Sequence, residues 1–269
     1  MRTRIITAVL GIPFVIVVLA FGNPWLKLTM MLLSFIALFE LYGVVKKEYR
    51  PIQWIGYSGI LLYYLFFDIM TKYYTLFLGI LIIAILTYMV IKYPKYSIVD
   101  VAVTVFSVLY CSLLFSFMIL TRELEYGFFW VWLVPISAWG SDTCAYFTGV
   151  SIGKHKLAPL LSPKKTIEGS IGGVLGAGVI GYFYTIIFAH WSEPILGQQV
   201  IFVVIAVMLG AIVSQFGDLA ASAIKRFFNE KDFGNILPGH GGILDRFDSF
   251  LFVAPVIYVA IIISQNVMS

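Results

Sequence analysis

The sequence predicts an all-α fold, a polytopic integral membrane protein of about nine transmembrane helices forming one integral domain, 1–269. Three observations carry that expectation. The chain is 61% hydrophobic and only 12% charged, with a mean hydropathy of +0.96. Its apolar runs are about 17–25 residues long, the length that crosses a bilayer as helix. Short polar breaks separate them, none long enough to fold alone. Runs so long and so uniform exclude barrel strands, and lipid leaves a spanning backbone no third way to satisfy its polar groups.

The expected spans are 5–21, 26–45, 52–67, 73–91, 98–120, 128–149, 169–189, 199–223 and 246–264. The third is short and ends at Asp68. Met1 to Arg4 followed by Ile5 to Phe21 is long enough to span, and no small-residue cleavage site follows, so no processed leader is expected. Lysines and arginines test the count. Arg2, Arg4, Lys46, Lys47, Arg50, Lys92, Lys95, Lys154, Lys156, Lys164, Lys165, Lys225, Arg226, Lys231 and Arg246 all fall on one side. The other side holds only Lys27, Lys72 and Arg122 of the 18. The excess of positive charge assigns the first side, with the N-terminus, to the cytoplasm. Trp25, Trp54, Tyr73 and Tyr93 lie near span ends as interfacial anchors.

The first half, 1–120, reads as scaffold. Its one anomaly is Glu40, an intramembrane carboxylate near the end of span 2, within reach of Lys46 or Lys47. Cys111 and Cys144 lie in different spans and read as small apolar residues, not a disulfide or metal pair. The second half, 128–264, carries the chemistry. Span 6 turns polar at Gly140, Ser141, Asp142 and Thr143. Asp142 is too deep to face lipid, so it is expected to face the interior or a wet cavity. The connection after it, GKHKLAPLLSPKKTIEG, supplies Lys154, Lys156, Lys164 and Lys165. Span 7 carries Gly169, Gly173, Ala177 and Gly181 at a spacing of four, a smooth face for close helix packing within one chain or in a homodimer. Its GVLGAG lies inside a span with no strand before it, which excludes a nucleotide-binding glycine loop. On span 8, Ser214, Asp218, Ser222 and Lys225 share one helical stripe, and Asp245 and Asp248 share a face where span 9 begins.

The densest polar stretch is Ser222–Asp248, SAIKRFFNEKDFGNILPGHGGILDRFD. Two readings of its charges, and of Asp142 and Asp218, stay open on the residues alone. Asp218 can pair with Lys225, and Asp142 with a loop lysine, because a buried charge needs a partner. Alternatively the carboxylates hold Mg²⁺, which keeps waters and shares its shell with substrate phosphates. Lysine and arginine would then neutralise phosphate, while Gly239, Gly241, Gly242 and the N-terminus of span 9 approach it closely. No Walker A pattern or zinc motif is present.

The Ser222–Asp248 stretch, with DTCAYFTG from Asp142 and SPKKTIEG from Ser162, resembles the signature of the phosphatidate cytidylyltransferases, or CDP-diacylglycerol synthases. The resemblance covers about Asp142 to Asp248. It implies the reaction CTP + phosphatidate → CDP-diacylglycerol + pyrophosphate, with Mg²⁺, and room for a second cation. It implies CTP, phosphatidate and membrane lipid as partners and no nucleic acid; the location expected is an integral membrane one, the inner membrane if the protein is bacterial, with the active site on the cytoplasmic side. On the matched positions, the expected catalytic residues are Lys225, Arg226, Asp245, Arg246 and Asp248. The expected substrate-binding residues are Lys164, Lys165, Lys231, Asp232, His240, Gly241 and Gly242. The expected metal ligands are Asp218, Asp245 and Asp248, with Asp142. Two rivals remain: a cytidylyltransferase for another lipid phosphate, and an ion-coupled transporter with midplane carboxylates.

Overall fold

The computed structural model describes residues 2–189, 198–237 and 241–268. Its helices are α1 (Arg2–Phe21), α2 (Trp25–Val45), α3 (Gln53–Leu65), α4 (Phe67–Lys72), α5 (Tyr74–Ile91) and α6 (Ile98–Val108). A π-helical turn, Leu109–Leu113, carries α6 into α7 (Leu114–Glu123). A broken run follows: α8 (Gly127–Val131), α9 (Leu133–Pro135), a second π-helical turn (Ile136–Gly140) and α10 (Ser141–Ile152). Two short strands, β1 (Lys156–Ala158) and β2 (Ser162–Thr166), precede α11 (Ile167–Ala189), α12 (Gln198–Phe227) and α13 (Leu244–Met268).

Among the described residues, six helical stretches are long and apolar enough to cross a membrane: in α2, α5, the α6–α7 run, α11, α12 and α13. They fall on the expected second, fourth, fifth, seventh, eighth and ninth spans. The expected first span is helix α1. The expected third is broken at Phe66, whose backbone leaves the helical region between α3 and α4. Asp68 in α4 pairs with Lys27 at 3.1 Å, so the charge that shortened this span has a partner. The expected sixth is interrupted at Pro135, where the missing N–H and the ring disturb the helix ladder and the π-helical turn begins.

One element departs from the all-α expectation. The connection after span 6 folds into an antiparallel hairpin, with Lys156 opposite Thr166 and Ala158 opposite Ser162. Its base is closed by Glu168, whose carboxylate accepts the backbone N–H groups of Lys154 (3.0 Å) and His155 (3.2 Å) and contacts His155 Nδ1 at 2.6 Å.

The chain divides into two compact units, Met1–Ser116 with Phe227–Arg246, and Phe117–Arg226 with Phe247–Ser269. In the first, buried hydroxyls are paired across helices: Ser34 with Tyr64 (2.9 Å), and Tyr63 donating to Ser116 (2.9 Å). Ser97 and Asp100 form a capping box at the start of α6, and Asp100 also accepts the N–H of Arg50 at 2.6 Å. The connection between α2 and α3 is thereby fastened to α6.

In the second unit, α11 is the central packing element. A side chain at Gly172 would overlap Thr148, one at Gly173 would meet Ser141 and Ala145, and one at Gly176 would overlap Cys144, all on α10. Gly178 and Gly181 face Met208 and Val207 on α12 instead. The expected face Gly169, Gly173, Ala177, Gly181 is thus used within the chain. Gly172 and Gly176 widen it, because neighbours on a helix recur at three as well as four residues. Gly176→Val is expected to lower stability by about 1–3 kcal/mol through overpacking against Cys144. Gly79→Val, where nothing lies within 4 Å, is expected to be neutral. Thermal unfolding of both variants in detergent checks this, and equal melting temperatures would contradict it.

Candidate active site

The second unit brings together charges from three helices and the hairpin. On α12, Ser214 and Lys225 are buried and Asp218 is partly buried, so the predicted stripe does point into the protein. From α13 comes Asp248, only 5% exposed, whose Oδ1 accepts the N–H of Ser249 at 2.7 Å. Asp218, Lys225 and Asp142 of α10 all act electrostatically on Asp248. Three carboxylates and a lysine therefore share one field. Asp218 is ion-paired with Lys165 of β2, a partner that the simple pairing expectation did not name. The hairpin explains it, by folding Lys165 back onto the helices.

Beside this cluster lies a cavity of ≈ 410 Å³. Its lining mixes polar side chains, Asp142, Lys164, Lys165, Ser170 and Gln215, with apolar ones, Tyr146, Val150 and Leu157. Asp142 is exposed and lines this cavity. The Gln215 amide is fixed on both sides: it accepts from the Ser170 hydroxyl and donates to the Ser170 carbonyl at 3.1 Å.

The glycine-rich loop belongs to the first unit and is organised around Glu40. Glu40 is 2% exposed, and its carboxylate accepts the N–H groups of Ile243 (2.9 Å) and Leu244 (2.8 Å), where α13 begins. A Cβ at Gly242 would come within 2.5 Å of Glu40 Oε2, and one at Gly234 within 2.8 Å of Oε1. Asp245 Oδ2 accepts from Phe233 N (2.8 Å) and Gly242 N (2.9 Å), closing the loop from within. Gly241 has φ +83°, which favours glycine. Gly241, Gly242 and the α13 N-terminus were expected to approach a phosphate. In the structure they lie against the chain's own carboxylates, and the α13 N-terminus already holds an anion, Glu40. Nor does Glu40 bond Lys46 or Lys47 as expected. Lys47 pairs with Glu230, which holds the Glu230 carboxyl below its ordinary range.

Arg226, Lys231, Asp232 and Arg246 are exposed. His240, with Pro238 and Gly239, lies outside the described residues.

A profile of the cytidylyltransferase family matches residues 2–264. The chain belongs to that family. It is 33% identical over 269 residues to the phosphatidate cytidylyltransferase of Bacillus subtilis (strain 168), covering 96% of each chain. It is 37% identical over 266 residues to that of Staphylococcus saprophyticus, covering 97% of this chain and 99% of the relative. To that of Staphylococcus haemolyticus it is 34% identical over 272 residues, with the same coverage.

In this cytidylyltransferase the expected metal ligands separate into two kinds. Asp245 spends one oxygen on backbone N–H groups of its own loop. Asp142, Asp218 and Asp248 act within one field instead. Among the described residues, no three His, Cys, Asp or Glu side chains stand close enough to hold an ion by themselves. The surroundings nevertheless fit a hard, hydrated cation. The donors are all oxygen. Ser141 and Ser214, one residue from Asp142 and one turn from Asp218, have buried hydroxyls with no hydrogen-bond partner among the described residues.

Sequence reasoning missed the use of Glu40, Ser170 and Gln215. Glu40 was visible as a lone intramembrane carboxylate, but its partners lie 203 and 204 residues away. Glu40→Ala leaves two N–H groups without an acceptor, a cost of about 1–3 kcal/mol. The amides of Ile243 and Leu244 are expected to exchange about ten- to a hundredfold faster in this variant, measured by hydrogen–deuterium exchange. Unchanged exchange would remove Glu40 as the anchor of the loop.

Proposed function

We propose that this membrane cytidylyltransferase transfers the cytidylyl group of CTP to phosphatidate, giving CDP-diacylglycerol and pyrophosphate for phospholipid synthesis. The observation that carries the reading is the joint presence of Asp142, Asp218, Asp248, Lys165 and Lys225 beside a cavity lined by both polar and apolar side chains. A soluble triphosphate needs cations, and a lipid phosphate needs both kinds of lining. The relatives named phosphatidate cytidylyltransferase supply the reaction.

The phosphatidate phosphate is already anionic. One of its oxygens attacks the α-phosphorus of CTP, the bond from that phosphorus to the bridging oxygen breaks, and pyrophosphate leaves with the electron pair. No side chain has to remove a proton, so the work is positioning and charge neutralisation. Lys164 and Lys165 hold phosphate at the cavity, and the Asp218 ion pair keeps Lys165 turned toward the helices. Lys225, buried on α12, offsets the carboxylates around Asp248. Asp142, Asp218 and Asp248 are the residues that would hold Mg²⁺, with Ser141 and Ser214 beside them. When bound, the cation would neutralise phosphate oxygens. Arg226, Lys231 and Arg246, exposed and basic, suit the approach of CTP from water. The one-sided distribution of lysine and arginine supports a cytoplasmic site in a bacterial inner membrane.

The purified protein, given radiolabelled CTP, phosphatidate and Mg²⁺ in detergent, is expected to form CDP-diacylglycerol without any gradient. A transporter would not. Chelation with EDTA is expected to stop the reaction and added Mg²⁺ to restore it. Asp248→Asn is expected to lower kcat by at least about a hundredfold while the protein still inserts and melts as the parent does. Full turnover in this variant would remove Asp248 from the site. Competition with isoprenoid ether-lipid phosphates settles which lipid acceptor is preferred.

A further inference from the structure

The β1–β2 hairpin has a surface that catalysis at the cluster does not use. Its turn reads Ala158-Pro159-Leu160-Leu161, and Leu160 is 92% exposed, an extreme value for a leucine. Lys154, Lys156 and Lys164, on the two arms of the same hairpin, are also exposed. The tip is not held by a core, yet the base is held firmly, because Glu168 binds the backbone of Lys154 and His155. The hairpin also grows directly out of α10 and α11, and α11 is long and apolar enough to cross a membrane. An apolar tip flanked by cations, carried at the end of a spanning helix, has the composition of an interfacial element: leucine for the acyl region and lysine for anionic headgroups.

The cavity gives that placement a consequence. Leu157 of β1 and Lys164 and Lys165 of β2 form part of its lining. Tyr146 and Val150 of α10, also in the lining, are 66% and 72% exposed. The cavity is therefore bordered by outward-facing apolar groups on α10 and by the hairpin, and of its two lysines Lys165 is the less exposed. An amphiphile entering sideways would meet apolar surface on its way to Lys165.

We propose that the β1–β2 hairpin is a membrane-interface anchor, with Leu160 inserted at the level of the upper acyl chains and Lys154 and Lys156 among anionic headgroups of the surrounding bilayer. Held there, it forms the lipid-side rim of the cavity, over which the acceptor lipid reaches Lys165. The anchoring stands on the hairpin alone. The role in lipid access rests on the function proposed above.

The test uses the full chain in lipid nanodiscs containing phosphatidylglycerol. Cys144→Ala removes the more accessible native thiol, Cys111 being buried, and Leu160→Cys carries an environment-sensitive NBD label. The label is expected to emit in the blue, to be quenched by lipids brominated on the upper acyl chain, and to be shielded from aqueous iodide. Iodide quenching equal to that of the same dye free in water overturns the anchor, whether or not the protein is active. The second measurement is kinetic. Leu160→Glu is expected to raise KM for vesicle-borne phosphatidate by about fivefold or more, with KM for CTP unchanged. An inserted label with an unchanged lipid KM overturns the role in access and leaves the anchor standing. Because Leu160 touches almost nothing, loss of fold does not confuse either readout.

Discussion

A carboxylate buried in an apolar chain must be answered by donors, and Glu40 shows how completely this fold meets that demand. Its two oxygens take the N–H groups of Ile243 and Leu244, the first donors of α13 that have no partner within the helix. The helix start gains two acceptor oxygens, and the Glu40 carboxyl gains two backbone donors. The glycines follow from this. Gly234 and Gly242 lie so close to the Glu40 carboxylate that any side chain there would collide with it. A loop that looks built for a ligand is, at these two positions, built around a residue of its own chain.

The second unit answers its carboxylates differently. Among the described residues, Asp248 has one backbone donor, from Ser249, with the Ser249 hydroxyl at 3.5 Å, and it lies in the field of Asp218, Asp142 and Lys225. Asp218 has Lys165. Asp248 thus lies in the field of two further carboxylates as well as a lysine, and this clustering separates the group from the ion pairs Lys27–Asp68 and Lys47–Glu230. Surface pairs of that second kind contribute little.

Much of this was legible in the sequence, and the limits have physical causes. Helix positions followed from hydropathy because lipid permits few alternatives. The stripe Ser214, Asp218, Ser222, Lys225 followed from helical spacing. The break at Phe66 and the π-helical turn after Pro135 were hidden, since neither interrupts the apolar run. The hairpin was hidden too. Its strands are only 3 and 5 residues long, and its closure depends on Glu168, which looks like an ordinary charge at a helix start. Pairings were the least accessible feature. Asp218 looked nearest to Lys225 along its own helix, and Glu40 nearest to Lys47. Both found partners elsewhere, because a partner is chosen by three-dimensional proximity and a sequence shows only local proximity.

The pair Asp245 and Asp248 makes the same point within one turn of helix. Their spacing puts them on one face, and their chemistry is identical, so sequence treats them alike. Their environments do not. Asp245 Oδ2 accepts two backbone N–H groups of its own loop. Asp248 is buried among like charges with a single backbone donor. Substituting either would impair the protein, but for different reasons. Loss of the Asp245 carboxylate releases Phe233 and Gly242 and loosens the loop. Loss of the Asp248 charge leaves those loop hydrogen bonds in place and changes the field shared with Asp218, Lys225 and Asp142. The backbone donors around each carboxylate therefore separate two residues that the sequence treats alike.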